Sequence, residues 1–360
     1  LGVFNSASLT SLPAGLFRNN SKTTSFQQTF NKCDQMVGEI PADLFANCPL
    51  VENFSRTFGE CEKLTGSIPV ALLADCPNVD RVDYLFYKCE GLTGSIPADL
   101  FRNNPEITTF AHTFEGCRGL TGEIPATLFS AQSGVTTFYG TFNNCRELTG
   151  AVPESLFATN TNVTTFRETF YLSGITSVPE GLFANNAEVE SFTLTFYATS
   201  LQTVPENLFA NNKVVTDFIG TFAACSLLTE ISAELFYNNE QVTSFSDTFT
   251  ATNVGTVPSG LFSRNTEVFN FDGTFANCYN LSEIPGNLFV NNTKVTDFAN
   301  VFSNCGFTII DDQWFRTNTL ATDFSKAFQG NPMTTVPEGL FSQNPAVTNF
   351  AGVFSYCENL

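Results

Sequence analysis

The chain has 360 residues, with 16 Lys and Arg against 35 Asp and Glu, a formal net charge of -19 and a pI near 4.3. Its few basic residues are scattered and form no stripe that would neutralise phosphates, which argues against nucleic acid and anionic membrane as partners. No apolar run reaches the roughly 18 to 20 residues of a membrane span, nothing at Leu1 reads as a secretory leader, and forty Phe beside one Trp, one His and two Met make no ordinary mixed core.

Self-similarity organises the chain. Phe recurs at 4, 30, 58, 86, 114, 142, 170, 196, 222, 249, 275, 302, 328 and 354, dividing it into thirteen copies of 26 to 28 residues. Residues 1–29 are a short first copy. Copies of 28 residues fill 30–170, lengthened by the connections CEKLTGSIP, CEGLTGSIP, CRGLTGEIP and CRELTGAVP. Copies of 26 or 27 residues fill 171–360, with connections such as SGITSVP and TSLQTVP. One solenoid domain over 1–360 is the expected organisation.

Within the copy Val51–Asn78, Val-x-x-Phe with its Thr and Ser neighbours favours a short extended segment. Leu-Thr-Gly-x-Ile is a second brief extended piece, and Pro followed by Ala-x-Leu-Leu (Leu-Phe in most copies) is a helical turn with Pro at its first position. Asn three places after that Phe, as at Asn20, Asn104, Asn186, Asn212 and Asn344, suits a left-handed end to the turn. Val51, Phe54, Phe58 and Cys61 also fit helical spacing, but two-helix repeats need about 33 to 47 residues. The expected fold is therefore α/β: a solenoid of thirteen turns, parallel β strands on one face and short helical or 3-10 turns on the other.

Three Phe columns make the core. The first is the one that sets the period. The second stands four residues earlier (Phe26, Phe54, Phe110 and onward, with Val82 the exception), and the third lies in the Leu-Phe dipeptide (Phe17, Phe45, Phe101 and onward, with Leu73 the exception). Only Phe269 and Phe307 fall outside them. Three buried rings contribute roughly 5 to 9 kcal/mol per copy against an ordering cost of about 1 to 2 kcal/mol per residue, so a single turn cannot fold alone and neighbours must stack.

Val-Thr-x-Phe-x-x-Thr-Phe-x-x-Cys followed by Leu and Ile-Pro resembles the BspA-like leucine-rich repeats of bacterial surface proteins, over nearly the whole chain. The resemblance implies an extracellular or bacterial cell-surface module for adhesion, partner recognition or surface assembly. This sequence departs from it in favouring Phe where those repeats carry Ile, Met or Ala.

Catalytic chemistry is not expected. The single His112 lies in a variable column beside Tyr84 and Gly140 and reads as an exposed residue, so no catalytic residue is assigned and the chain reads as non-enzymatic. Cys33, Cys61, Cys89, Cys117 and Cys145, with Cys225, Cys278, Cys305 and Cys357 later, share one column. Stacked in this way they form a ladder of buried thiols, not a metal tetrahedron, so neither metal nor cofactor is expected. Carboxylates such as Asp311 and Asp312, or Asp217 and Asp297, do not repeat as a ligand set. Cys48 and Cys76 replace the turn Asn in consecutive copies, where Cα atoms fall near the roughly 4.4 to 6.8 Å window of a bridge, so a disulfide is expected there.

Binding is expected on the variable columns beside the first Phe of each copy. Arg and aromatic side chains, the usual interface anchors, concentrate there in the early copies as Arg56, Arg81, Tyr84, His112, Tyr139 and Arg167. The ligand is a protein or a glycan, and a structural spacer or filament unit is the remaining reading. Phe269, replacing a Thr, is the expected exposed hydrophobe. Gly306–Leu320, where Asp311 replaces Pro and Trp314 replaces Leu, is a second local departure, with Trp314 expected in the core. Both ends fall in mid-repeat, which predicts a segment of a longer protein or assembly.

Overall fold

The computed structural model describes residues 2–360. It divides into two compact units, Leu1–Glu188 and Val189–Leu360, each a stack of repeat turns. In every turn the residue before the first Phe makes one parallel bridge to its counterpart. These run from Ser25–Asn53 to Thr137–Thr165 in the first unit and from Ser191–Asp217 to Asp323–Asn349 in the second. A second parallel ladder follows the Leu-Thr-Gly segment, pairing Gly38 with Leu64, Gly94 with Leu120 and Gly122 with Leu148. It widens into β1 (Thr149–Ala151) and β2 (Gly174–Ser177), whose parallel register slips between Gly150 and Ala151. The slip falls where 28-residue copies give way to shorter ones, so the lost residues are absorbed there.

From the first Phe to the Cys, the backbone is not a strand. Phe54, Arg56, Phe58 and Glu60 donate their N–H groups forward to Arg81 O, Asp83 O, Leu85 O and Tyr87 O at 2.9, 2.9, 3.0 and 2.6 Å. Thr57, Gly59 and Cys61 donate back to Phe54 O, Arg56 O and Phe58 O at 3.0, 3.2 and 3.1 Å. All seven donors are thereby satisfied. The pattern requires left-handed backbone two places after each Phe, and Arg56, Glu60, Tyr84 and Lys88 have φ of 55°, 61°, 57° and 55°. That conformation costs a non-glycine residue roughly 1 to 2 kcal/mol, which accounts for Gly140, Gly220, Gly273 and Gly352 in the variable column. The expectation that this column lies on a sheet surface is corrected: its residues stand on left-handed turns.

The Pro-to-Phe segment carries i to i+3 bonds, as from Leu44 N to Pro41 O at 3.1 Å and Ala46 N to Asp43 O at 3.2 Å. These are single 3-10-type turns, and among the described residues none extends into a helix, so the two-helix alternative is excluded. The fold is a leucine-rich-repeat solenoid of the α/β type.

Phe rings of one column stack face to face along the turns, as in Phe110–Phe138 and Phe138–Phe166 at 5.7 and 5.8 Å. Rings of different columns meet tilted, as in Phe138–Phe157 at 4.6 Å and 52°. Leu73 and Val82, the two exceptions, occupy the matching places of one such tilted pair and are fully buried. Polar side chains tie the turns together beside this core. Thr57 Oγ1 donates to Phe26 O at 3.0 Å and Cys61 Sγ to Phe30 O at 3.0 Å, both in the preceding turn.

The turn Asn is the third such tie, and here the expected left-handed role is corrected. Asn265 Nδ2 donates to Phe236 O at 3.1 Å and Asn239 O at 2.8 Å, and Asn292 to Phe262 O and Asn265 O at 3.0 and 2.9 Å. Gln132 fills the same place and bonds Phe101 O at 2.6 Å. Residue type is therefore fixed by two buried carbonyls that need a forked donor. Asn265→Ala is expected to destabilise the protein by roughly 1 to 3 kcal/mol, because both acceptors lose their partner without access to water; urea unfolding curves followed by circular dichroism measure it.

Candidate functional site

Five of the six selected side chains come together in the first unit, one from each of five consecutive turns. The Arg56 guanidinium lies 3.8 Å from the centre of the Tyr84 ring. Tyr84 stacks on His112 at 4.5 Å and 19°. His112 meets Tyr139 edge to face at 4.3 Å and 62°, and the Arg167 guanidinium lies 5.6 Å from the Tyr139 ring. Local backbone explains the path. Arg56, Tyr84 and His112 occupy the left-handed column, whereas Tyr139 and Arg167 stand one place earlier in theirs. The step is made at Gly140, where an added Cβ would lie 2.5 Å from His112 Nδ1. Without that methyl group the imidazole has room, and Tyr139 closes on it instead.

His112 is not exposed as expected but 8% accessible, and its Nδ1 bonds the Glu115 carboxylate. Glu115 escaped the sequence reading, as did Tyr87, which meets Tyr84 edge to face at 5.4 Å, and Lys88, whose Nζ lies 5.0 Å from the Tyr87 ring. Glu115 and Tyr87 are each three residues beyond their partner and joined to it by a turn hydrogen bond, Glu115 N to His112 O and Tyr87 N to Tyr84 O. On an extended strand the third residue points to the opposite face, so reading this stretch as a strand hid both. Arg81 does not join the stack. It sits in the bridge column between Asn53 and Thr109 with its side chain exposed.

The electrostatics follow from this packing. Burial pushes the Tyr84 phenol above its ordinary range, against the pull of the Arg56 charge. Arg167 is held by Glu168 at 3.2 Å. Because Arg56 and His112 lie against Tyr84 from the turns on either side, its ring is already engaged; hydroxyls, ring edges and guanidinium N–H groups remain as contact groups.

The same columns in the second unit are small or acidic. Asp272 and Asp297 are pushed above the usual carboxylate range, mainly by burial. The Asn300 amide opposes the shift at Asp272, while the charges of Asp297, Asp247 and Asp323 add to it. Asp323 is held below that range despite its burial, by hydrogen bonds from Ser325 and Asn349. A raised folded-state pKa means that the ionised Asp272 burdens the fold above that pKa and the burden lifts as pH falls through it. Asp272→Asn is therefore expected to raise stability at pH 7 by about 0.5 kcal/mol and to lose that advantage on acidification, measured by melting temperature against pH.

Phe269 is 48% exposed. Its main chain keeps the ladder bonds from Phe269 N to Thr243 O and from Thr296 N to Phe269 O, both at 3.0 Å, so only the side chain departs from the Thr pattern. Trp314 is 2% exposed and packs on Phe302 at 5.3 Å. All eleven cysteines are buried free thiols. The Cys48–Cys76 disulfide expected from the sequence is not formed; Cys48 Sγ faces Phe17 O and Asn20 O at 3.8 Å, and Cys76 Sγ faces Phe45 O at 3.9 Å. Their sulfurs stand in for the Asn amide toward the preceding turn. Burial pushes Cys76 up to about 12 and, opposed by the Thr199 and Thr252 hydroxyls, Cys225 and Cys278 to about 11, which suppresses the reactive thiolate. Native protein at pH 8 is expected to resist alkylation, and protein unfolded without reductant to take up eleven adducts by mass spectrometry; two fewer would establish the cross-link.

Among the described residues no three His, Cys, Asp or Glu side chains are grouped to hold a metal ion, and no helix is long and apolar enough to cross a membrane. Neither a family model nor a curated protein matches the chain. Among solved structures it is similar to the functional domain of InlJ from Listeria monocytogenes, which includes a cysteine ladder, with a TM-score of 0.55 at 15% identity over 94% of this chain and 59% of that one. It is also similar to a chain of the Toll–Spatzle complex of Drosophila (TM-score 0.49, 18% identity, 88% and 41% of the two chains). A third similarity is to the plant peptide hormone receptor RGFR1 in complex with RGF2 (TM-score 0.41, 16% identity, 96% and 55%). The chain thus spans between 41% and 59% of the length of these structures. The likeness to InlJ is one of fold, and it agrees with the turn geometry: this chain has the leucine-rich-repeat solenoid fold.

Proposed function

We propose that the chain is a non-enzymatic recognition module of the bacterial cell surface or extracellular space, and that it binds a protein partner through the stack from Arg56 to Arg167. The stack itself carries the reading. Tyr and Arg are the side chains that most often dominate binding energy, and five of them are ordered here before any partner arrives. Ordering side chains in advance removes part of the entropic cost of association. The only histidine is already engaged between two rings and a carboxylate, which suits a fixed surface better than a proton shuttle. The BspA-like repeat pattern supports the location and an adhesive role.

A glycan ligand is the less favoured reading, since sugars stack on open aromatic faces and the Tyr84 ring is engaged from both neighbouring turns. Presenting the whole chain to an array of extracellular proteins and to a glycan array separates the two. A protein partner is expected to lose about 30-fold or more in affinity to the Tyr84→Ala, Tyr139→Ala double variant, with the melting temperature of the remaining core retained. Unchanged affinity for every partner found would remove the stack from the binding surface and favour a spacer role, and glycan capture lost by the same variant would favour carbohydrate recognition.

A further inference from the structure

The second unit holds a cavity that the proposed binding stack does not involve. It measures about 410 Å³ and is lined by Val257, Ile284 and Trp314, with Ile309, Glu283 and Asp311 around them. Three of these lie in the one copy that breaks the repeat. In the column Thr256, Glu283, Ile309, Thr335, the isoleucine is the single apolar residue, and it stands 76% exposed. Trp314 replaces the Leu of the Leu-Phe dipeptide, and Asp311 replaces the Pro that opens the turn. The preceding copy is adjusted to match. Gly286 is the only glycine among the residues that follow this Pro position, and a Cβ there would collide with Asp311 Oδ2. Asp311 spends Oδ1 on the turn, accepting Gln313 N at 2.8 Å. Changes in three columns, with a compensating glycine in a neighbouring turn, converge on one cavity.

The chemistry of that cavity is specific. Its inner surface is aliphatic and indole, and carboxylates from two neighbouring turns, Glu283 and Asp311, stand with it. A long aliphatic stem ending in a compact positive charge satisfies both parts, and a lysine side chain has that form. The occupant must also cover exposed apolar surface, since Ile309 is 76% and, one turn on, Val336 is 40% exposed. A free amine is too small to do so; a polypeptide is not.

We propose that this cavity receives a lysine side chain presented by a partner protein, with Val257, Ile284 and Ile309 holding its stem and Glu283 and Asp311 its ammonium group. The inference stands apart from the Tyr84 and Tyr139 stack and survives if that surface proves inert. Trp314 is the only tryptophan and lines the cavity, so its fluorescence reports occupancy in the whole chain.

The test titrates the protein with a capped pentapeptide carrying one central lysine between leucines, with its norleucine counterpart, and with n-butylamine. The lysine peptide is expected to change Trp314 emission saturably, and to bind about 5-fold or more tighter than either control. Glu283→Gln and, separately, Ile309→Ser, which restores the polar character of its column, are each expected to weaken it by about the same factor. Sodium chloride at 0.5 M is expected to weaken the lysine peptide and not the norleucine one. No saturable change overturns the proposal. So does equal binding of norleucine, which would mark a purely apolar groove, and so does n-butylamine binding as tightly as the peptide, which would mark a small-amine site. Should Ile309→Ser lower the melting temperature, Glu283→Gln decides.

Discussion

Left-handed backbone two places after each column Phe is the constraint from which the remaining features follow. It turns four successive N–H groups of a turn toward the next one, so a turn is completed only by its successor. With its donors committed in that direction, the chain has short extended bridges in place of a broad sheet, and aromatic rings stack at 5.6 to 5.9 Å behind them in unbroken columns. Thr, Cys and Asn side chains then supply hydrogen bonds in the reverse direction, to carbonyls of the preceding turn. The conformational cost and the periodic polar residues are thus two aspects of one device.

The core was legible because burial and periodicity speak through residue type: every Phe of the three columns from Phe30 to Phe328 is almost wholly buried. The binding stack was legible for a different reason. Residues in one column of a solenoid become neighbours whatever the backbone does, so Arg56, Tyr84 and His112 could be grouped without knowing their φ angles. Backbone handedness itself was hidden, since Tyr, Lys, Glu and Leu all occupy left-handed positions here, and only the recurrent glycines at 140, 220, 273 and 352 betray it. Glu115 and Tyr87 were missed on that account. Cys48 and Cys76 were misread because spacing places two cysteines on adjacent turns without saying where their sulfurs point; the positions call for a group directed at the preceding turn, and a thiol can serve there in place of an amide.

Local departures from the repeat divide into those the fold absorbs and those it displays. Leu73 and Val82 are absorbed together, because each stands at the place of a ring that would have faced the other. Trp314 and Phe307 are absorbed as a pair, meeting at 5.4 Å and both almost wholly buried. Phe269 and Ile309 are displayed, on backbone in the first case, and in a column in the second, that elsewhere carries mainly polar side chains. A repeat protein can differ at such places without disturbing its neighbours, since the ladder bonds belong to the main chain.

The one-way alignment of N–H groups between the first Phe and the Cys gives each stack an electrical direction. Parallel sheets alternate their donors and carry little net dipole, whereas successive amides aimed one way add their fields, as they do in a helix. From Phe54 to Glu60 the N–H groups face the following turn, and the carbonyls of Asn53, Ser55, Thr57 and Gly59 face the preceding one. Any turn of this design that lacks a successor presents a row of four unfilled donors, a concave positive edge that selects for carboxylates, phosphates or the carbonyls of another chain in whatever comes to rest against it.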